Sequence, residues 1–375
     1  MKKKTLLWLL LAIVVVVGGY FLWKGNSAKS ETIKIGATFP LTGDVASYGI
    51  KAKNGIQLRV DEENDKGGIN GKKIFIDFQD DKNSIKDAVN IFNTFAKINK
   101  YSIVFGSAGS SVSEALVPIS LNEKIILMSP VSGAASLTSG KWKYFFRTIP
   151  SDNQQAEILA DWVINDEIKN AAVVYTNNSW GKPLSETLIK LLKENEINIT
   201  LEEGCPENTT DFKTIIHKLK QKEFDAIISP TYPKEGGLFV KQLKEAGIDT
   251  RLYGGDNWGA PEFLTIAGNA GNGVFFTYPA DSKSELWDVF VENYKLKFGE
   301  EPDIIAAYAY DAATAIIEAI KEENSLNSDK IRDRLLQINF EGVTGNISFK
   351  ENGDVTTQGY GKKKIENGKI ITINN

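Results

Sequence analysis

Ile33-Lys34-Ile35-Gly36-Ala37-Thr38-Phe39, then Pro40-Leu41-Thr42-Gly43, then residues 46–64: this is the stretch on which the fold turns. The first seven residues are an apolar run of strand length, closed by a Pro and a Gly. Residues 46–64 place Ile50, Ile56, Leu58 and Val60 at helical spacing. The reading is strand, turn, helix. The same rhythm continues outward. Gly67-Gly68-Ile69-Asn70-Gly71 is a turn, residues 73–78 alternate as a strand, and residues 84–97 form an amphipathic helix capped by Asn83 or Ser84. Residues 102–105, 110–122 and 125–128 read strand, helix, strand. After Arg147-Thr148-Ile149-Pro150 a second round begins. Helices are expected at 151–164, 181–195, 211–221 and 236–246, and strands at 171–175, 198–202, 226–229 and 251–253. Alternation of this kind makes a parallel sheet with helices on both faces. Here it is built twice, so we expect a two-lobed α/β protein with its ligand cleft beyond the carboxyl ends of the strands.

The 375 residues exceed what one compact core usually holds, in keeping with two lobes. The single Cys, Cys205, excludes an internal disulfide and any multi-cysteine metal site. The single His, His217, falls off the apolar face of its helix and reads as a solvated residue with no catalytic role. With one such His, no phosphate loop and no dinucleotide fingerprint, we expect neither an enzyme nor a cofactor or metal.

At the N-terminus, Lys2, Lys3 and Lys4 precede an apolar run over residues 6–23, interrupted only by Gly18 and Gly19. That length suits a membrane span better than a signal-peptide core. The expectation is that residues 1–31 export the rest of the chain and stay as an anchor, with cleavage as the alternative. Residues 1–31 hold five lysines and one acid, a balance of +4; the whole chain is −4, which leaves −8 on the remainder. An acidic domain of this kind is a poor partner for nucleic acid.

Several polar or aromatic groups follow directly on expected strands. Gly106-Ser107-Ala108-Gly109-Ser110-Ser111 opens a helix, whose free N–H groups and positive end suit a carboxylate. Its alternative reading is ordinary capping. Ser129-Pro130-Val131-Ser132-Gly133 presents further N–H groups and a hydroxyl, Trp180 could lie over a ligand or, as Trp more often does, simply pack, and Tyr232 joins the candidates. Asp256, in Gly254-Gly255-Asp256-Asn257-Trp258, could meet an ammonium or simply bond its own turn. Tyr48, and one of Tyr308 and Tyr310, complete the set.

Taken together these runs resemble the periplasmic leucine/isoleucine/valine-binding proteins, the type I solute-binding family of ABC importers. The likeness is carried by residues 34–43, 64–71, Asp80-Asp81, Gly106 to Ser111, Ser129-Pro130, Arg147-Thr148, Gly254 to Asn257 and Tyr308-Ala309-Tyr310-Asp311-Ala312. It implies a two-lobed type I periplasmic-binding-protein fold, with two doubly wound parallel sheets joined by a three-strand hinge. Lobe 1 would comprise residues 32–149 and 280–352, and lobe 2 residues 150–279 and 353–375. It implies a small-molecule ligand, an amino acid or else an amide or urea, and an ABC permease as partner. A sensory protein of the same fold is the alternative role. Ser110, Val131, Ser132 and Gly133 would hold the ligand carboxylate, Asp256 the ammonium, and Tyr48, Trp180, Tyr232 and Tyr310 the side chain. The family commonly has Thr where Gly133 stands, and often Glu where Asp256 stands, so the ligand side chain is left open.

Overall fold

The computed structural model describes residues 32–140, 142–280, 284–356 and 359–373. The expected anchor at residues 1–31 lies outside them. Among the described residues no helix is long and apolar enough to cross a membrane.

Strand β1 (Ile33–Phe39) is buried on almost every residue, as a central strand of a parallel sheet must be. It pairs in parallel with β2 (Ile74–Asp80) on one side and β3 (Ile103–Gly106) on the other. Strands β4 (Ile126–Ser129) and β5 (Phe145–Arg147) complete the first sheet, in the order β2-β1-β3-β4-β5. Helix α1 (Ala46–Asp65) covers one face. Helices α2 (Ile85–Thr94) and α3 (Ser110–Glu123) cover the other. The predicted cap resolves to Ser84, whose hydroxyl accepts from the Asp87 N–H at 3.3 Å.

The second round begins with α4 (Asp152–Asn165), capped by Ser151. It continues with β6 (Asn170–Thr176), α5 (Gly181–Glu194), β7 (Asn198–Cys205) and α6 (Lys213–Leu219). Then come β8 (Ala226–Ser229), α7 (Pro233–Glu245), β9 (Arg251–Gly254), α8 (Pro261–Ala267) and β10 (Phe275–Pro279). Its five parallel strands stand in the order β7-β6-β8-β9-β10. That is the order of the first sheet, repeated.

Helices α9 (Trp287–Phe298), α10 (Ile304–Glu323) and α11 (Ser328–Leu335) return to the first core, where α10 lies along α1. The approach is close. A Cβ on Gly55 of α1 would stand 2.1 Å from the Ala306 carbonyl oxygen. After the hairpin β11 (Asn339–Gly342) and β12 (Gly345–Ser348), the chain crosses once more. Strands β13 (Tyr360–Glu366) and β14 (Lys369–Ile373) then add to the second sheet beyond β10, both antiparallel to their neighbours. The second sheet is therefore mixed at one edge, where the repeat alone predicts parallel strands throughout. Asn367 and Gly368, both at positive φ, make the tight turn that joins this last pair.

The chain thus passes between the sheets three times. Two of the crossings are tied together. The Arg147 N–H donates to the Gly353 carbonyl at 3.0 Å, and its guanidinium meets Asp354 at 2.7 Å.

Candidate functional site

Between the two sheets, at the carboxyl ends of their strands, lies a cavity of about 510 Å³ including its mouth. Its first-lobe wall comes from Val45, Tyr48, Asn83, Ala108, Gly109, Ser110, Val131, Gly133, Ile149 and Ile305. Asp152, Trp180, Tyr232, Asp256 and Asn257 form the second-lobe wall.

The first wall depends on how β3 and β4 end. A Cβ on Gly106 would stand 2.3 Å from the Thr38 carbonyl oxygen, so only glycine lets β3 leave the sheet there. The loop that follows is fixed by hydroxyls. Ser129 Oγ and Ser132 Oγ donate to the Ser107 carbonyl at 2.8 and 2.9 Å, and Ser110 Oγ accepts from the Ala134 N–H at 3.3 Å. Ser110 is the first residue of α3, so the free N–H groups of that helix open toward the cavity wall.

The second wall is aromatic and acidic. The rings of Trp180 and Tyr232 stack with centroids 5.6 Å apart. Asp256 opens a single 3₁₀ turn, Asp256–Gly259, directly after β9. Asp152, the first residue of α4, also faces the cavity, and its N–H donates to the Gly133 carbonyl at 2.9 Å. Asp152 occupies the space a side chain at 133 would need: a Cβ there would stand 2.5 Å from Asp152 Oδ1.

Contacts also bridge the mouth. Tyr48 Oη donates to Asn257 Oδ1 at 2.6 Å, Lys234 Nζ meets Asp44 Oδ2 at 2.6 Å, and the Ser179 N–H donates to Ser111 Oγ at 3.3 Å. The cleft is closed in this structure. Burial raises the Asp152 carboxyl far above the carboxylate range, the negative charge of Asp256 raises it further, and Arg147, Tyr360 and Trp180 draw the other way. Burial likewise raises Asp256, opposed by Gln155 and by backbone N–H groups. The hydroxyls of Tyr48 and Tyr232 are pushed up by burial first and by nearby carboxylates next, so both stay neutral.

The model of the family described as periplasmic binding protein matches residues 32–366. The chain belongs to that family. It is 29% identical over 357 residues to the leucine-, isoleucine-, valine-, threonine-, and alanine-binding protein of Pseudomonas aeruginosa, covering 95% of each chain. It superposes with a TM-score of 0.83 on LivJ, the branched-chain amino acid transporter substrate binding protein of Streptococcus pneumoniae, solved in complex with isoleucine. That match has 31% identity and covers 91% of this chain and 98% of the other. The leucine binding protein LivK of Thermotoga maritima gives a TM-score of 0.85 at 25% identity, over 92% and 98%.

In this periplasmic binding protein seven of the residues expected to meet a ligand line the cavity: Tyr48, Ser110, Val131, Gly133, Trp180, Tyr232 and Asp256. Two expected residues do not. Ser132 is fully buried behind the wall: its hydroxyl is held by Ser113 Oγ at 2.7 Å and by the Ser107 carbonyl, and its N–H donates to Ser129 Oγ. Tyr310 lies on the outer side of α10, where its hydroxyl donates to Glu62 Oε2. From that helix it is Ile305, in the first turn, that reaches the cavity. His217 is exposed, as expected.

Asp152, Asn83 and Asn257 were not expected in the site. Asp152 and Asn83 read as helix-start residues, and only their position after β5 and β2 distinguishes them. Asn257 sits next to Asp256 and carries no signal of its own. Among the described residues, no group of three His, Cys, Asp or Glu is placed to hold a metal ion.

Proposed function

We propose that this protein captures a small α-amino acid, branched-chain or similar, outside the cytoplasm and presents it to an ABC importer. One observation carries the reading: the α3 N-terminus with Ser110 and the Asp256 carboxylate lie on opposite walls of one closed cavity. A zwitterion has a matching pair of charges. Its carboxylate would rest on Ser110 and the Gly133 N–H beside Val131, its ammonium on Asp256, and its side chain among Tyr48, Trp180 and Tyr232. Related proteins with named amino-acid ligands support this choice of ligand class.

Capture would proceed by rotation of residues 150–279 and 353–375 against residues 32–149 and 280–352. Residues 1–31 would tether the protein to the membrane, with release by cleavage as the other outcome. Scattering of the portion from Thr32 onward should show a more compact particle with ligand than without; an unchanged particle at saturation would sink the hinge.

The ligand class is tested by thermal shift against amino acids, small amides and urea, after unfolding and refolding to strip retained ligand. A ligand that binds only the folded form raises the melting temperature. A shift with aliphatic amino acids supports the reading, and a shift with amides alone moves the protein to a different ligand class.

A further inference from the structure

Two carboxylates face the cavity, but one ammonium needs only one of them. Asp152 Oδ2, Asp256 Oδ1 and both amide atoms of Gln155 are sealed from solvent without a well-formed hydrogen bond, although Trp180 and Gln155 lie near enough to favour the charged carboxylates. The cation nearest Asp152 is already committed. Arg147 is fully buried, paired with Asp354 at 2.7 Å, and donates to the Gly133 and Ala134 carbonyls at 2.6 and 2.8 Å. The other titratable groups facing the pair are phenols and acids. Tyr360 donates to Asp152 Oδ1 at 3.4 Å, Tyr48 stands on the opposite wall and Tyr232 on the same wall, and Tyr278, Tyr308, Glu262 and Asp303 lie nearby. No lysine or arginine lines the cavity among the described residues.

A monocation cannot neutralise two carboxylates in a place closed to water, and an uncompensated buried charge is strongly unfavourable. Like charges sharing a site relieve this by keeping a proton on one of them. Both groups belong to the second-lobe wall, and in both the largest influence is burial, which an opened cleft would remove. We propose that closure over the ligand takes up one proton from solvent onto the Asp152–Asp256 pair, so that the ammonium meets a single negative charge. The proton adds to one carboxylate oxygen and no other bond changes. This rests on the amino-acid reading above.

The sign follows from linkage. The closed, liganded form holds the proton more tightly than the open form. Affinity therefore falls as pH rises from the ordinary carboxylate range through the raised value of the pair, by up to about tenfold per pH unit. Asp152→Asn supplies a neutral group of the same shape, so it should bind with an affinity that no longer depends on pH in that window.

The experiment is calorimetric titration of the wild-type protein with L-leucine at about pH 7, in two buffers of different ionisation enthalpy. About one proton taken up per leucine bound is expected, and none with Asp152→Asn. Leucine binding without proton uptake overturns this proposal and leaves the amino-acid reading standing, as does uptake that persists in Asp152→Asn. No heat with leucine, isoleucine, valine or alanine overturns both. The wild-type proton count decides the matter even if the variant does not fold.

Discussion

In the first lobe, the turns after β3 and β4 offer Ser110, Val131 and Gly133: one hydroxyl, small side chains and backbone N–H groups. The turns after β6, β8 and β9 in the second lobe offer Trp180, Tyr232 and Asp256. The two parallel sheets have the same strand order, so both lobes deliver their strand tips to the same cleft. What they deliver differs in kind. The first wall is neutral and held rigid by serine hydroxyls donating to the Ser107 carbonyl; the second is aromatic and acidic. Topology sets where a site forms, and turn residues set which pole of a ligand each lobe receives.

Substitutions on each wall can break or sharpen this contrast. The largest effect belongs to the second lobe. Asp256→Ala should weaken amino-acid binding about a hundredfold or more, because the ammonium would be buried without its counter-charge; isothermal titration measures it. On the first wall, Ser110→Ala removes one neutral contact out of several. It should cost about fivefold to tenfold in the same assay. If Ser110→Ala proves the costlier of the two, the assignment of poles is wrong.

Smaller effects are expected at the rim. Lys234→Gln breaks the pair with Asp44 that bridges the mouth, but Lys234 is 32% and Asp44 52% exposed. We expect about threefold faster ligand release or less, disappearing at high salt, by stopped-flow. The smallest effect is at Tyr310. Tyr310→Phe removes only the bond to Glu62 on the outer face of the first lobe, so affinity should stay unchanged while stability falls by about 1 kcal/mol. A loss of affinity there would mean that the outer face of α10 is coupled to the cleft.

These expectations also separate what the sequence made legible from what it did not. The strand–helix alternation and the glycine-bounded turns located the parallel strands of both sheets other than β5 and β10, and about half of the cavity wall. The missed residues failed for physical reasons. Ser132 looked like Ser110, a hydroxyl just beyond a strand, and only the three-dimensional loop shows it turned inward onto Ser113 and Ser107. Tyr310 sits within a helix whose buried face is read from period alone, and a tyrosine can cap that face from outside. Strand β13 carries three successive lysines, Lys362 to Lys364, which hide it from a search for apolar runs, and β14 beside it at the edge is only five residues long. Their Asn367-Gly368 turn was the signal that could have revealed them. Asp152 is the most telling omission: an acid in the first turn of a helix is so ordinary that nothing local marks it as part of a site.

The crowding of Gly133 against Asp152 limits how this cleft can change over generations. A side chain at 133 would press on the acid, since its first carbon would lie 2.5 Å from Asp152 Oδ1, so the carboxylate must turn aside to admit it. A substitution at either position is therefore felt at the other. The two positions, one on each lobe, are thus coupled through space: the shape of the first-lobe wall at 133 depends on where the second-lobe acid points.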